Sequence, residues 1–263
     1  MMSFFQIFQW RRGDTCERPY SLTGDVEARY YFALPFVRGK SVLDIGSGFG
    51  LGSHYLALNG AKKVLGIDIS SPAIKESKKR FSLLNLDFKV MDGTQMSLPK
   101  KSFEAVIAFE VIEHLPLEKH HFLLRGIREI LKKGGVFLIS TPNKLFTSPG
   151  SDKPRNPYHL KEFEPEELIS FLKQYFSRVS LRGLRCGNRE YIKQREKLFD
   201  SLRYRLSAWA VRYKFLSDFS TIIPRQIKLK ISCQNKLISL GREDFIIDEN
   251  IRQAENLIGI CRL

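Results

Sequence analysis

One stretch decides the fold of this chain: Val42-Leu43-Asp44-Ile45-Gly46-Ser47-Gly48-Phe49-Gly50. An apolar run of strand type leads directly into a turn whose glycines can adopt positive φ and let the backbone approach a ligand closely. A second apolar run, 63–67, ends at Asp68. The free N–H groups of the helix predicted after the turn suit an anionic group, and an acid at the tip of the next strand suits ribose hydroxyls. The pattern therefore predicts a nucleoside-binding β-α-β unit.

The spacing of the glycines separates this turn from two other nucleotide-binding turns. A dinucleotide fingerprint reads G-x-G-x-x-G, but the third glycine here is Gly50, one position early, and Leu51 stands at the expected place. No Gly-Lys-Ser/Thr follows, so the phosphate-binding P-loop is excluded. Asp44 precedes the glycines and can pair with an ammonium group. These features favour a nucleoside that carries an amino-acid moiety.

Five motifs, in order along about 30–175 of the chain, resemble those of the class I S-adenosylmethionine-dependent methyltransferases. The likeness is to the type 11 group, and within it to bacterial-type methyltransferases of glycan and quinone biosynthesis. It implies an α/β, Rossmann-like fold with a mostly parallel seven-stranded sheet, a C-terminal antiparallel hairpin and a helical insertion. The motifs are VLDIGSGFG, GIDIS at 66–70, Met91-Asp92-Gly93, SFEAVIAFEVIEHL at 102–115 and KKGGVFLISTPN at 132–143.

The resemblance also implies S-adenosyl-L-methionine as the cofactor and a set of residues that bind it. The glycine loop would wrap the methionine part, with Asp44 available to its ammonium. Asp68, with Ile69 beside it, would take the ribose, and Asp92 with Gly93 the adenine. An arginine of the predicted lead-in helix, 20–38, would lie near the cofactor. The predicted cofactor-binding residues are Arg29, Asp44, Gly46, Ser47, Gly48, Gly50, Asp68, Ile69, Asp92 and Gly93.

Strands and helices alternate along most of the chain, which implies a parallel sheet with right-handed crossovers. Helices are predicted at 71–84 and 117–132, with Gly134-Gly135 ending the second. We divide the chain into an N-terminal extension (1–19), a methyltransferase core (20–188), a basic helical insertion or cap (189–242) and a closing strand (243–263). The strands are predicted at about 41–45, 63–67, 87–91, 103–109, 135–141, 178–184 and 256–262.

The end of the fourth strand carries the first candidate catalytic group. Glu110, Glu113 and His114 have the i, i+3, i+4 spacing that places side chains on one side of a helical turn. Methyl transfer to a hydroxyl needs an aligned nucleophile and a base for its proton, and a histidine suits the second task. His114 is therefore the first candidate base, and packing of this turn is the structural alternative. The same segment resembles one that is associated with a divalent metal in ubiquinone-pathway O-methyltransferases, but we assign no metal here.

His159 is the second candidate base. It follows the fifth strand in a long loop rich in turn residues, which is expected to lie at the rim of the active site. Similar segments in small-molecule and glycan methyltransferases carry a histidine at this place. The structural alternative is a loop histidine that caps the next helix. The predicted catalytic residues are thus His114, His159 and Glu110.

Positive charge is concentrated in one part of the chain. Of the net +15, the segment 189–242 contributes +9, from 13 Lys or Arg against 4 Asp or Glu. So one-sided an excess favours an anionic partner, such as an anionic membrane surface. No apolar run reaches the roughly 20 residues of a membrane-spanning helix, and the four scattered cysteines form no disulfide or metal pattern. We expect a cytoplasmic protein, with attachment to the periphery of a membrane as the arrangement that the charge would allow.

The leading functional prediction is O-methylation of a small-molecule, sugar or lipid-linked acceptor. An RNA methyltransferase would also use the positive charge, but no RNA-binding module is recognisable. The Asn/Asp-Pro-Pro-Tyr/Phe signature of amino-directed enzymes is missing, since Phe109-Glu110-Val111-Ile112 stands there. A cofactor-binding scaffold without catalysis is the third alternative, and the intact glycine loop with Asp68 argues against it.

Overall fold

The computed structural model describes residues 24–188 and 242–263. Their core is one sheet of eight strands in the order β3-β2-β1-β4-β5-β8-β6-β7. The predicted extension 1–19 and nearly all of the insertion 189–242 lie outside the described residues. The strands are β1 (Ser41–Ile45), β2 (Lys63–Asp68), β3 (Leu86–Val90), β4 (Phe103–Phe109), β5 (Leu131–Pro142), β6 (Arg178–Cys186), β7 (Phe245–Asp248) and β8 (Asn256–Arg262).

The first five strands run parallel, so their carboxyl ends meet at one edge of the sheet. Five helices connect them or follow them, and a lead-in helix precedes them. Because β1, β4 and β5 are covered on both faces, they read as nearly continuous apolar runs, and their central side chains are fully buried. The helices are α1 (Gly24–Val37), α2 (Leu51–Leu58), α3 (Ser71–Arg80), α4 (Leu117–Ile130), α5 (Lys144–Thr147) and α6 (Pro165–Lys173).

The predicted antiparallel end of the sheet is present, with one strand more than expected. β8 lies between β5 and β6 and pairs antiparallel with both. The additional strand is β7, which pairs antiparallel with β6 through Gly183–Cys186. It makes the sheet eight-stranded, where seven strands were predicted. With only four residues β7 is short, which is why its run of three apolar residues gave no strand signal.

Two helices end earlier than predicted. α3 begins as expected, with Ser70 capping the Ala73 N–H and Pro72 in the first turn, but it stops at Arg80. Phe81 is already extended, and Leu84, predicted to be buried, is fully exposed. α4 stops at Ile130, and Gly134 and Gly135 lie inside β5 and do not end the helix.

Among the described residues, no helix is long and apolar enough to cross a membrane.

Candidate active site

The glycine loop after β1 is built from three left-handed residues. Gly46, Gly48 and Gly50 have φ of 73°, 53° and 79°, a region that side chains other than glycine rarely adopt. A Cβ atom at Gly46 would lie 2.6 Å from Val111, and one at Gly50 would lie 2.6 Å from Phe88. A Cβ at Gly48 would meet nothing within 4 Å. Packing therefore explains two of these glycines, while Gly48 presents bare backbone to open space, as a ligand-binding loop requires.

Asp68, at the end of β2, holds this loop in place. Its carboxylate accepts hydrogen bonds from the Gly48 N–H at 2.9 Å and from the Ser70 N–H at 2.8 Å. Burial raises the pKa of Asp68, although these two bonds favour the charged form. The next residue, Ile69, leaves 58% of its surface exposed. An acid beside an exposed apolar side chain provides contacts for both parts of a nucleoside.

Asp44 faces the interior and not the open side of the loop. It is 1% exposed, and its carboxylate accepts hydrogen bonds from the Tyr30 hydroxyl at 3.1 Å and the Ser53 hydroxyl at 2.6 Å. Burial raises its pKa to about 7, against the opposing effect of these bonds. The predicted contact with a ligand ammonium does not fit this arrangement, in which Asp44 ties the loop to α1 and α2.

Arg29 of α1 is buried with part of its hydrogen-bonding capacity unused. Its Nη2 lies 3.1 Å from Asp25 and its Nη1 lies 3.8 Å from Glu110, but Nε and Nη1 make no hydrogen bond. The Ser47 hydroxyl of the glycine loop is also buried without a partner. Unsatisfied buried donors are costly, and a ligand carboxylate would satisfy a guanidinium and a hydroxyl together. The residues present thus fit the amino-acid part of S-adenosylmethionine.

The acidic turn after β3 is also ready to accept a hydrogen bond. Asp92 takes bonds of 2.8 Å from the N–H and the hydroxyl of Thr94, and Lys119 of α4 lies 3.5 Å from its other oxygen. Burial opposes ionisation of Asp92, but these partners lower its pKa overall. Gly93 is required for packing, because a Cβ there would lie 2.7 Å from Ile45. An ionised Asp92 suits the amino group of adenine.

Glu110, at the end of β4, has an unusual backbone. Its φ is 56°, and it is one of only two non-glycine residues with positive φ in the described ranges 24–188 and 242–263. Its carboxylate accepts bonds from the Ser140 hydroxyl at 2.7 Å and from the Asn256 amide at 2.9 Å. Strained residues of this kind concentrate at functional sites. Glu110 therefore joins β4, β5 and β8 beside Arg29, and its carboxylate is already occupied.

The turn 112–114 brings Glu113 and His114 together, and His159 joins them in one group that does not include Glu110. Glu113 is 0% exposed; one carboxylate oxygen accepts a bond from Thr141 at 3.1 Å, and the other has no hydrogen bond. His114 places Nδ1 3.0 Å from the Tyr158 carbonyl. Burial lowers the pKa of His114 to about 4, with a smaller contribution from His159. His114 is thus neutral at neutral pH and a weaker base than its residue type suggested.

His159 lies against His114, with ring centres 5.1 Å apart. Its Nδ1 is 2.7 Å from a carboxylate oxygen of Glu162, and its Nε2 is 2.8 Å from the Asn156 amide nitrogen. The loop is tied to the end of β4 by the Leu160 N–H, which donates to the Glu113 carbonyl at 2.7 Å. Sequence analysis missed both Glu162 and Asn156. The i, i+3 spacing of His159 and Glu162 was the available signal, and it is weak outside a helix.

Three side chains in this group have the composition of a metal site. Glu113, His114 and His159 each offer a ligand atom, and these atoms lie within 4.8 Å of one another. Two imidazoles and a carboxylate suit several divalent transition metals. However, both ring nitrogens of His159 already have protein partners. The metal set considered from the sequence differs, because it contained Glu110 in place of His159.

Comparison with known proteins gives matches to the middle of the chain. Residues 43–139 match a family model described as "Methyltransferase domain". A "Probable S-adenosylmethionine-dependent methyltransferase" of Mycolicibacterium smegmatis is 36% identical over 135 residues, which cover 51% of this chain and 51% of the relative. A "Ubiquinone biosynthesis O-methyltransferase" of Xanthomonas campestris is 28% identical over 179 residues, which cover 63% of this chain and 74% of the relative. The chain spans about half the length of the first mycobacterial relative.

Two solved structures resemble most of the chain in fold. A "SAM dependent methyltransferase" from Archaeoglobus fulgidus has a TM-score of 0.56 at 21% identity. The match covers 90% of this chain and 93% of that chain. The [4+2]-cyclase SpnF has a TM-score of 0.58 at 15% identity and covers 99% and 93%. At these identities the likeness describes the fold alone, and one fold hosts several reactions.

Proposed function

We propose that this chain is a class I S-adenosylmethionine-dependent methyltransferase, as the family match over residues 43–139 and the Mycolicibacterium smegmatis relative support, and that it transfers a methyl group to a hydroxyl of a small-molecule, sugar or lipid-linked acceptor. The observation that carries the proposal is two unsatisfied buried groups, the guanidinium of Arg29 and the hydroxyl of Ser47 in the glycine loop, together with the open space at the Cβ position of Gly48. These features leave room and partners for an anionic amino-acid moiety. We assign the ribose to Asp68 and the adenine to Asp92.

When bound, S-adenosylmethionine supplies an electrophilic methyl group on a sulfonium sulfur. The chain's own residues would bind and orient the cofactor and the acceptor, and keep water out of the site. Gly48 would admit the cofactor and Arg29 would hold its carboxylate, while Glu110 fixes the end of β4 through Ser140 and Asn256. Alignment of two reactants in this manner supplies a large part of the rate of a displacement reaction.

The acceptor hydroxyl needs a group to receive its proton, and two imidazoles lie at this edge of the sheet. We assign the role to His159 ahead of His114. Burial lowers the pKa of His114 to about 4, which makes it a weak base, and its Nδ1 contacts the Tyr158 carbonyl. His159 is the better placed because its Nδ1 faces the buried carboxylate of Glu162.

Oxygen is the favoured acceptor atom. The motif of amino-directed enzymes is missing after β4, and a relative that matches 63% of this chain is named an O-methyltransferase. The cyclase among the fold neighbours means that methyl transfer itself must be measured. A binding protein without turnover and an RNA methyltransferase are the outcomes to be separated from it.

Cofactor binding is tested by calorimetry on Gly48→Val and a matched control. Gly48→Val places a side chain where the cofactor is proposed to contact the backbone of the glycine loop, so we expect binding of S-adenosylmethionine to be lost. Gly39→Val is the control: Gly39 has the same kind of backbone, with φ of 70° and open space around a Cβ, but it precedes β1 at the opposite end of that strand. Equal affinity in both variants would contradict the proposed site.

The acceptor is found by incubating the protein and methyl-labelled cofactor with a metabolite extract of the source cell. We expect label in a hydroxyl-bearing small molecule, sugar or lipid, and none with Gly48→Val. Label recovered only in RNA would favour the RNA alternative. Tight cofactor binding with no labelled product would favour a scaffold.

A further inference from the structure

We propose that Glu162 is a positioning residue for His159, and that Asn156 occupies the place which the acceptor hydroxyl takes when it binds. The proposal rests on the proposed function for its catalytic meaning. It concerns a group of side chains in the segment 147–162, which sequence analysis did not identify as a unit. In this group, hydrogen bonds connect a buried carboxylate to an imidazole and that imidazole to an amide.

The carboxylate of Glu162 is held rigidly in the protein interior. Glu162 is 2% exposed. One oxygen accepts hydrogen bonds from the hydroxyls of Thr147 at 2.7 Å and Ser148 at 2.6 Å, and the other oxygen faces His159. Within the described ranges, no Lys or Arg forms an ion pair with Glu162; His159 is its one basic partner. The Nδ1 side of His159 is therefore fixed against a buried carboxylate.

The carboxylate also decides where the proton of neutral His159 sits. Burial opposes ionisation of Glu162, but the bonds from His159, Ser148 and Thr147 lower its pKa overall. An ionised carboxylate only accepts hydrogen bonds, so His159 must donate from Nδ1. This leaves a lone pair on Nε2. Glu162 thereby fixes the tautomer in which Nε2 can accept a proton.

Asn156 covers that lone pair in the structure. Its side-chain oxygen accepts a bond from the Tyr158 N–H at 3.0 Å, which fixes the orientation of the amide. The amide nitrogen therefore points to Nε2 of His159, at 2.8 Å. The only group that can replace it without loss is another hydrogen-bond donor. A hydroxyl meets this requirement.

The reaction at this group balances as a simple proton transfer. As an electron pair of the acceptor oxygen forms the bond to the methyl carbon, the electrons of the broken carbon–sulfur bond stay on sulfur, which becomes neutral. The acceptor proton passes to Nε2. The imidazolium that results keeps its Nδ1 proton on Glu162, so the new positive charge lies against a buried negative one.

The pairing is tested without any acceptor by nuclear magnetic resonance of the full chain labelled with ¹⁵N-histidine. Signals are assigned with His159→Ala. We expect the neutral form of His159 to carry its proton on Nδ1 in the wild type and to lose that preference in Glu162→Gln, because the Gln amide cannot accept all three bonds. Glu164→Gln is the matched control, since Glu164 is an exposed carboxylate near the same loop that pairs with Lys144. A wild-type signal with the proton on Nε2, or one unchanged in Glu162→Gln, would overturn the proposal.

The catalytic role is tested by a double-mutant cycle that uses the acceptor found in the labelling experiment. We expect His159→Ala and Glu162→Gln each to lower kcat by about 100-fold or more, within the range of general-base catalysis, with cofactor affinity unchanged. If Glu162 acts through His159, the double variant loses no more than His159→Ala alone. Losses that multiply would show a separate, structural role and refute the assignment. Failure of the wild type to bind the cofactor would refute the proposed function. It would not refute the pairing of His159 with Glu162 that nuclear magnetic resonance measures.

The role of Asn156 is separated by two further variants. Asn156→Ala removes the amide that competes with the acceptor for Nε2, so the acceptor KM should fall. Asn156→Asp places a carboxylate against Nε2 and holds a proton there, so kcat should fall about 100-fold. A large loss of kcat in Asn156→Ala, with a normal unfolding temperature, would show that Asn156 is needed for turnover and is not displaced.

Discussion

At the scale of single residues, burial changes what the ionisable side chains of this site can do. His114 and Glu113 are adjacent, yet burial drives both toward their neutral forms. It lowers the pKa of His114 to about 4 and raises the pKa of Glu113 well above its usual range, with help from the nearby charge of Glu110. Residue type alone suggested His114 as the base. The environment favours His159, whose partner is a carboxylate.

His114 should make the stability of the fold depend on pH. Its pKa is about 4 in the folded state, below the usual value of 6.5, so the unfolded chain binds the proton first as the pH falls. Stability is therefore lost between about pH 7 and pH 4, by up to about 3 kcal/mol. His114→Asn, which keeps a donor for the Tyr158 carbonyl, should be less sensitive over this range.

Urea unfolding at several pH values measures this effect. The control is His121→Asn, which changes an exposed histidine of α4. We expect the control to follow the wild type. If the free energy of unfolding falls equally in the wild type and in His114→Asn on acidification, His114 is not buried as a neutral group.

At the scale of elements, β8 joins the parallel and antiparallel parts of the sheet. Gly259 at its centre is buried, and a Cβ there would lie 2.7 Å from Ile139 and 3.3 Å from Leu172. Gly259→Val should cost about 1–3 kcal/mol, the usual effect of overpacking. Ser180→Val is the control on the adjacent strand β6, where the side chain is exposed and valine is tolerated. Thermal unfolding compares the two, and equal midpoints would contradict the tight contact.

The sequence predicted the parallel strands well because their signal is local. The runs 41–45 and 103–109 are mostly apolar, with Asp44 and Glu104 as the charged exceptions, and the structure has strands with those bounds. Helix ends were harder, since Phe81 and Leu84 fit the helical period but only packing could show that α3 stops at Arg80.

In the site, the residue types predicted the glycine loop, but they could not predict the direction in which each side chain points. The turn at Gly46–Gly50 was predicted to be a ligand loop, and its bare backbone at Gly48 fits that role. The carboxylate of Asp44 points to Tyr30 and Ser53, which its position in the sequence cannot reveal. The partnership of His159 with Glu162 depends on how the loop 147–162 folds back on itself. Contacts of this kind are tertiary and leave little trace in spacing.

At the scale of the whole molecule, charge is distributed unevenly. The segment 189–242 holds +9 of the net +15, and this composition predicts attraction to anionic surfaces. We expect the full chain to sediment with vesicles that contain phosphatidylserine and not with neutral phosphatidylcholine vesicles. Because salt screens exposed charges, binding should weaken between low and high ionic strength.

A variant tests whether this segment is responsible. It replaces four cations with Gln, and binding should fall while the cofactor affinity is kept. Binding that is unaffected by these changes, or equal on neutral vesicles, would contradict the prediction. The replaced residues are Arg225, Lys228, Lys230 and Lys236.

The pairing of β6 with β7 has a consequence for how such a protein can diversify. The Gly187 N–H donates to the Asp244 carbonyl at 2.7 Å, and Asn188 contacts the same aspartate, so the chain leaves and re-enters the sheet at neighbouring points. Closing a longer loop costs only about 0.6 kcal/mol for each doubling of its length. The sequence between those two points can therefore change in length at little cost to the stability of the sheet.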